Sequence, residues 1–274
     1  MISQRLTGKV AFVTGAARGQ GRAHAVRLAA EGADIIAIDV AGALPPAVPY
    51  PPATPEDLKE TARLVEATGR QILTTAVDTR DHDGLKSAVD DAVGVLGRLD
   101  IIVANAGITS PRAWNAITPE EFRDVMDVNV TGTFLCAQRA ARGMIAQHYG
   151  RIVNLTSISG ERAGVGRVAY GTSKAAVAGL TRQLAMELGS FGITANSVAP
   201  GPISTPLTKA SYTPETKRAF EAMIPAKRLG TVADVAHAIA FLCGEAAAYV
   251  NGVMLAVDGG FLAAGVSTTG GLQA

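Results

Sequence analysis

Aromatic side chains are scarce in this chain, at 5% of 274 residues, and cysteine occurs only twice. Cys136 and Cys243 lie in segments that read as helical and match neither a disulfide framework nor a metal-ligand spacing. They read instead as two buried free thiols, since an unpaired cysteine packs as a small apolar residue. The four histidines, His24, His82, His148 and His237, are scattered with no ligand spacing among them. An excess of charge of either sign is also missing: 25 Lys and Arg balance 24 Asp and Glu, for a net charge of +1. Without a basic or acidic block, neither nucleic acid nor an anionic membrane surface is expected as a partner. Long apolar runs are absent too. No stretch reaches the roughly 18 residues of a membrane span, and Met1 to Val10 contains no apolar stretch of signal-peptide length. A cytoplasmic protein is expected.

What is plentiful is small and hydrophobic. Thirty glycines and a 48% hydrophobic content supply a sizeable core and allow helices to approach a sheet closely. Short apolar runs at Val10 to Thr14, Asp34 to Asp39, Gln71 to Val77, Leu99 to Ala104, Arg151 to Thr156, Thr194 to Ala199 and Val253 to Val257 read as strands, most of them Val/Ile-rich on both faces as suits burial on both sides. Helical patterns alternate with them, at Gly21 to Glu31, Glu56 to Thr68, Asp83 to Leu96, Pro119 to Gln147, Val168 to Ser190 and Val232 to Cys243. This alternation predicts an α/β fold, a doubly wound parallel sheet of about seven strands with helices on both faces, in one domain over 1–274. Thr118 and Thr231 read as helix caps.

Two stretches break the rhythm. Residues 41–55 carry Pro45, Pro46, Pro49, Pro51, Pro52 and Pro55 around Tyr50, which forbids regular helix or central strand. The segment reads either as a stiff surface loop or as a flap over a ligand beside the second strand. Residues 201–225, rich in Pro, Ser and Thr, follow the sixth strand on the ligand-binding side of such sheets and read as a substrate lid.

The first strand runs directly into Thr14-Gly-Ala-Ala-Arg-Gly-Gln-Gly21 and then a helix. Gly15, Gly19 and Gly21 let the backbone turn sharply and approach a pyrophosphate, and the helix N-terminus offers free N–H groups to it. Asp39, eighteen residues after Gly21, ends the second strand. Its carboxylate suits the ribose hydroxyls of NAD and would repel the 2′-phosphate of NADP. Arg18, inside the glycine loop, is the counter-signal, and Asp39 outweighs it. Tyr170 and Lys174 stand four residues apart on a predicted helix, hence on one face. A phenol titrates near ~10 in water, and a neighbouring ammonium is expected to lower that value and fit the phenol for proton exchange.

These residues resemble the short-chain dehydrogenase/reductase family over nearly the whole chain, from Gly8 to about Gly260. Asp78, Asn105-Ala-Gly107, Asn129, Ser157, Tyr170-Gly-Thr-Ser-Lys174 and Pro200-Gly201 complete the family's pattern, with Ala104 where many members have Asn. The resemblance implies a Rossmann-type fold and hydride transfer between NAD and a secondary alcohol or ketone. It casts Tyr170 as proton donor or acceptor, Ser157 as hydrogen-bond donor to the substrate oxygen, and Lys174 as a contact of the nicotinamide ribose. Asn129 would hold a water leading to Lys174, and Asp78 would accept from the adenine amino group. Gly15, Arg18, Gly19, Gln20, Gly21, Asn105, Ala106 and Gly107 would line the adenosine and pyrophosphate side. Pro200, Gly201, Ile203 and Thr205 would line the nicotinamide side. A homotetramer is implied, packed through the helices from Pro119 and Val168.

The stretch from Pro49 to Glu66 further resembles the insertion of the mycofactocin-coupled, carveol-dehydrogenase-like branch. There the insertion covers a non-exchanging NAD, and an external redox carrier such as mycofactocin recycles it. Apolar Ile108, Val165, Ile203 and Leu207 point to a hydrophobic or cyclic (terpenoid-like) alcohol, and Trp114 is a candidate substrate contact. Two rival readings are an NADPH-dependent 3-oxoacyl reductase, which Asp39 opposes, and a non-catalytic dinucleotide-binding regulator, which would tolerate loss of Tyr170 or Lys174.

Overall fold

A computed structural model of the chain describes residues 4–205, 208 and 212–264. Seven parallel strands form its main sheet: β1 (Val10–Thr14), β2 (Asp34–Asp39), β3 (Ile72–Ala76), β4 (Ile101–Ala104), β5 (Gly150–Leu155), β6 (Ile193–Pro200) and the last strand, Met254–Val257. The order is β3-β2-β1-β4-β5-β6 followed by Met254–Val257. The chain therefore winds outward from β1 in one direction and from β4 in the other, which leaves a crevice between their carboxyl ends. The α/β, Rossmann-type expectation of seven strands holds.

Strand alternation divides the core in two. Ala11, Val13, Ile35, Ala37, Ile101, Val103 and Val153 point to one face. There they meet helices α1 (Gly19–Ala30), α2 (Pro55–Glu66) and the helix Val232–Cys243. Phe12, Ile36, Ile38, Ile102 and Ile152 point to the other, against α3 (His82–Leu96), α5 (Gly132–Gln147) and α6 (Val168–Leu188). Both predicted caps form: the Thr118 and Thr231 side chains each accept from the backbone N–H three residues on, within full capping boxes.

The long helix expected from Pro119 to Gln147 is divided. It runs as α4 (Pro119–Met126), a π-turn at Asp127–Thr131, and then α5. The widened turn carries Asn129, which is fully buried, as π-bulges often carry functional residues. A two-stranded pairing of Ile203–Ser204 with Gly230–Thr231, which local pattern did not announce, ties the stretch after β6 to the cap of the helix Val232–Cys243.

On the inward face of α1, His24 is fully buried and neither ring nitrogen finds a partner among the described residues. Burial pushes it from 6.5 down to about 3. The folded chain thus rejects a proton that the unfolded chain accepts, so this contribution to stability is complete above pH 6.5 and is lost as pH falls below it. One such group costs about 1.4 kcal/mol at one pH unit below its unfolded value. Urea midpoints at pH 7.5 and 5.5 are expected to converge in His24→Leu relative to the native chain; an unchanged gap would assign the acid sensitivity to another group.

Candidate active site

One cavity of about 830 Å³ occupies the crevice at the carboxyl ends of the strands. It runs from the glycine loop, Asp39 and Asp78 to Ser157, Tyr170 and Lys174. All the anticipated nucleotide-side residues and the Ser/Tyr/Lys set line it; Asn129 lies behind its wall. Leu207, expected at its apolar end, falls outside the described residues.

The glycine loop is fitted closely to its neighbours. A Cβ on Gly21 would lie 2.0 Å from the Gly15 carbonyl oxygen, and one on Gly15 would lie 2.9 Å from Ala106 Cα. Gly19 is different: it has φ +59, and a Cβ there would meet nothing within 4 Å. The loop thus presents bare backbone to the cavity where an anion can approach. Asp39 is fixed from both sides, Oδ2 accepting from Ala17 N at 3.0 Å and Oδ1 from Ala41 N at 3.1 Å. A carboxylate held this way at the end of β2, beside an uncrowded glycine backbone, fits NAD and opposes a phosphate. Arg18, the counter-signal, donates instead to the Pro51 carbonyl. Asp78 lines the cavity with its oxygens already accepting from the Arg80 guanidinium at 2.7 and 3.1 Å. Burial alone would raise its pKa; the bonds from Arg80 outweigh that and leave it lowered.

At the other end, glycine again sets the spacing. Ser157 caps a short turn, Ile158–Gly160, with Oγ accepting from Ser159 N at 3.1 Å. Gly160 and Gly171 let this turn and α6 touch: added methyl groups would lie 2.9 Å from the backbone of the opposite element. The contact holds Ser157 against Tyr170. Lys174, 5% exposed, donates from Nζ to the Leu155 carbonyl at 2.7 Å, and burial pushes it down to about 8. Tyr170 departs from the expectation drawn from its spacing to Lys174. Burial raises it, with the Ser157 hydrogen bond and the charge of Arg167 opposing. The ammonium, engaged by Leu155, lies 5.7 Å from the ring centroid.

Asn129 is tied to the strand exit and to α6 by its side chain. Its side chain accepts from Ile108 N at 2.7 Å and donates to Ile108 O and Ser173 Oγ at 2.9 Å each, while its carbonyl accepts from Thr133 Oγ1. It clamps the strand exit that forms the cavity wall. Trp114 is 78% exposed and does not line the cavity. Phe220 and Met223 do line it, on the helix Pro214–Met223 within the stretch expected as a substrate lid, together with Arg162 and Arg167 from the loop before α6 and Phe261. Their positions are set by tertiary convergence, and no local pattern marks them.

The Pro-rich segment crosses the crevice. Leu44 and Val48 pack on Ile108, Val125 and Ala169 of the far side, Pro51 holds Arg18, and Tyr50 lines the cavity. Burial pushes the Tyr50 phenol up to about 12, opposed by a bond from the Thr109 backbone.

With this geometry in hand, comparison places the chain among known proteins. A family profile described as enoyl-(acyl carrier protein) reductase matches residues 15–262. A short-chain dehydrogenase from Mycobacterium paratuberculosis, solved bound to NAD, is 48% identical, with a TM-score of 0.87 over 95% of this chain and 100% of that one. Carveol dehydrogenase from Mycobacterium avium in complex with NAD is 41% identical, with a TM-score of 0.90 over 95% of this chain and 99% of that one. An uncharacterised NAD-dependent oxidoreductase of Mycobacterium tuberculosis is 43% identical over 94% of this chain and 97% of its own. The 3-oxoacyl-[acyl-carrier-protein] reductase of Aquifex aeolicus is more distant, at 37% over 93% and 98%. The chain belongs to the short-chain dehydrogenase/reductase family. It is an NAD-dependent oxidoreductase of the alcohol dehydrogenase/ketone reductase kind. Among the described residues no helix is long and apolar enough to cross a membrane, and no cluster of His, Cys, Asp and Glu suits a metal ion.

Removing the Asn129 side chain would leave the buried Ile108 N–H and C=O unpaired. Asn129→Ala is expected to lose about 2–4 kcal/mol of stability, read as a lowered urea midpoint; an unchanged midpoint would show that the clamp carries no load.

Proposed function

We propose that this chain oxidises a secondary alcohol to a ketone with an NAD that stays bound beneath the Pro-rich insertion. The observation that carries the reading is the insertion's span: anchored to the glycine loop through Arg18 and Pro51, it packs Leu44 and Val48 on the opposite wall. A proline-dense segment has little conformational entropy to lose on closing, so the closed state is retained and nucleotide release slowed. Gly15, Gly19, Gly21 and Asp39 would hold the pyrophosphate and adenosine ribose. Asn105, Ala106 and Gly107 would flank them, with Asp78 near the adenine and Pro200, Gly201, Ile203 and Thr205 around the carboxamide. NAD, when bound, supplies the hydride acceptor.

The chain's own residues manage the oxygen. Ser157 donates a hydrogen bond to it and stabilises charge as that charge develops. Tyr170 takes the hydroxyl proton as the carbon–hydrogen electron pair leaves and the carbonyl forms. Lys174 supplies a buried cation beside that phenol. Asn129 positions Ile108 and Ser173 behind them. Because Tyr170 stands above the ordinary phenol value, alcohol oxidation should accelerate with rising pH and ketone reduction should slow. An external redox carrier such as mycofactocin would reoxidise the retained nucleotide. The assembly that best suits the apolar side chains of Phe134, Val168 and Met186, exposed on α5 and α6, is a homotetramer, and a cytoplasmic setting suits two free thiols. A terpenoid-like cyclic alcohol fits the apolar part of the cavity.

Denaturing the purified protein is expected to release near-stoichiometric NAD or NADH. Leu44→Ala with Val48→Asp should speed nucleotide loss by about tenfold or more. An empty native protein that turns over added NAD would overturn retention, and bound NADP would overturn the reading of Asp39. Tyr170→Phe should keep the nucleotide yet lower kcat by about 10²–10⁴-fold; retained turnover would remove Tyr170 from the chemistry.

A further inference from the structure

Charge is distributed unevenly along the cavity. Its lining carboxylates are Asp39 and Asp78, both at the glycine-loop end and both already occupied by backbone amides or Arg80. Around Tyr170 the lining groups that carry charge are cations. Arg167 stands immediately before α6, with its guanidinium carbon 5.8 Å from the Tyr170 ring centroid and a long 3.4 Å contact to Thr109 Oγ1. Arg162 lies over the Phe261 ring at 5.1 Å. Elsewhere the arginines commonly hold a carboxylate, as Arg5, Arg70, Arg98 and Arg112 do. Among the described residues Arg162 and Arg167 hold none, although both line the same cavity. Arg167 is half-buried, with no acidic residue in the first turn of α6 to offset it.

A guanidinium left without a carboxylate partner on a concave, partly dry surface is a ready fork for one, which it binds through two parallel hydrogen bonds. Apolar and aromatic side chains line this end beside them, among them Ile158, Phe220, Met223 and Phe261. We infer that the substrate is a carboxylic acid with an apolar skeleton bearing the secondary alcohol. Arg167 receives its carboxylate and Arg162 adds a second cation at the rim. This inference rests on the reading of Ser157 and Tyr170 as the reacting end. It revises the purely hydrophobic substrate suggested by Ile108, Val165 and Ile203.

The test uses pairs that differ only in charge. Hydroxycyclohexanecarboxylates and their methyl esters are offered to the protein carrying its nucleotide. Calorimetry reads binding, and absorbance of the reduced nicotinamide reads a single turnover. The acids should bind about tenfold or more tightly than the esters. Arg167→Met should bring that ratio close to one, and Arg167→Lys should retain part of it. Esters that bind as well as acids, acids that bind the Arg167→Met variant as well as the native chain, or no binding by either, each overturn the inference. Turnover of esters without acid preference would sink the anion site and leave the dehydrogenase reading standing. Tight, Arg167-dependent acid binding with no hydride transfer would do the reverse.

Discussion

The joint between β1 and β4 holds the two halves of the sheet in the register that the site requires. Thr14 is buried at the end of β1, and its hydroxyl accepts from Asn105 N at 3.0 Å and Ala106 N at 2.9 Å. Asn105 reciprocates through its amide, donating to the Thr14 and Gly15 carbonyls. Backbone groups at the mouth of a parallel sheet have lost their ladder partners, and leaving them unpaired costs about 1–3 kcal/mol each. Here they satisfy one another across the switch point. The glycine loop is therefore placed against the exit of β4 by hydrogen bonds, and the absence of side chains at Gly15 and Gly21 permits the approach. Everything downstream inherits this alignment, from Asp39 at the end of β2 to the Ser157 turn at the end of β5.

Much of this was legible in the chain itself, for physical reasons that differ by element. A strand buried on both faces is apolar through its middle, so VAFVT and DIIAID announce β1 and β2 without help from tertiary structure. Caps are local chemistry, and Thr118 and Thr231 were readable because a hydroxyl satisfies an N–H three residues away. The π-turn at Asp127–Thr131 was not readable: the weak helix formers of DVNVT mark no particular turn type, and the widened turn coincides with the long-range bonds of Asn129 to Ile108. Arg162 and Arg167 were hidden for a similar reason. In sequence a loop arginine reads as solvated, and only the docking of that loop beside Phe261 and Tyr170 turns it toward the cavity. The pairing of Tyr170 with Lys174 was legible as geometry and misleading as electrostatics, because spacing reveals a shared face but not the depth of burial that dominates the phenol.

The Pro-rich insertion owes its effect to where it starts. Asp39 ends β2 and binds Ala41 N with the oxygen that Ala17 does not use. Ala41 adopts φ 41, a left-handed conformation that a residue with a Cβ takes only when its surroundings enforce it. The carboxylate that favours NAD is thus also the anchor that turns the chain out of the sheet and over the crevice. Losing that carboxylate would loosen the glycine loop and the root of the insertion together, so cofactor choice and closure are coupled through one side chain.

That coupling bears on how the two ends of the cavity divide their labour. At the adenosine end the charges are matched within the protein: Asp39 by amides, Asp78 by Arg80, Arg18 by the Pro51 carbonyl. Groups already satisfied gain little from exchange with solvent, which suits a ligand that is held rather than traded. At the Tyr170 end Arg167 and Arg162 lack carboxylate partners among the described residues and sit on aromatic faces, an arrangement in which an incoming anion finds cations that need not first be separated from an internal partner. The proposed retention of one ligand and exchange of another calls for this asymmetry. The energetic contrast lies in the side chains that line each end, on a backbone framework common to both.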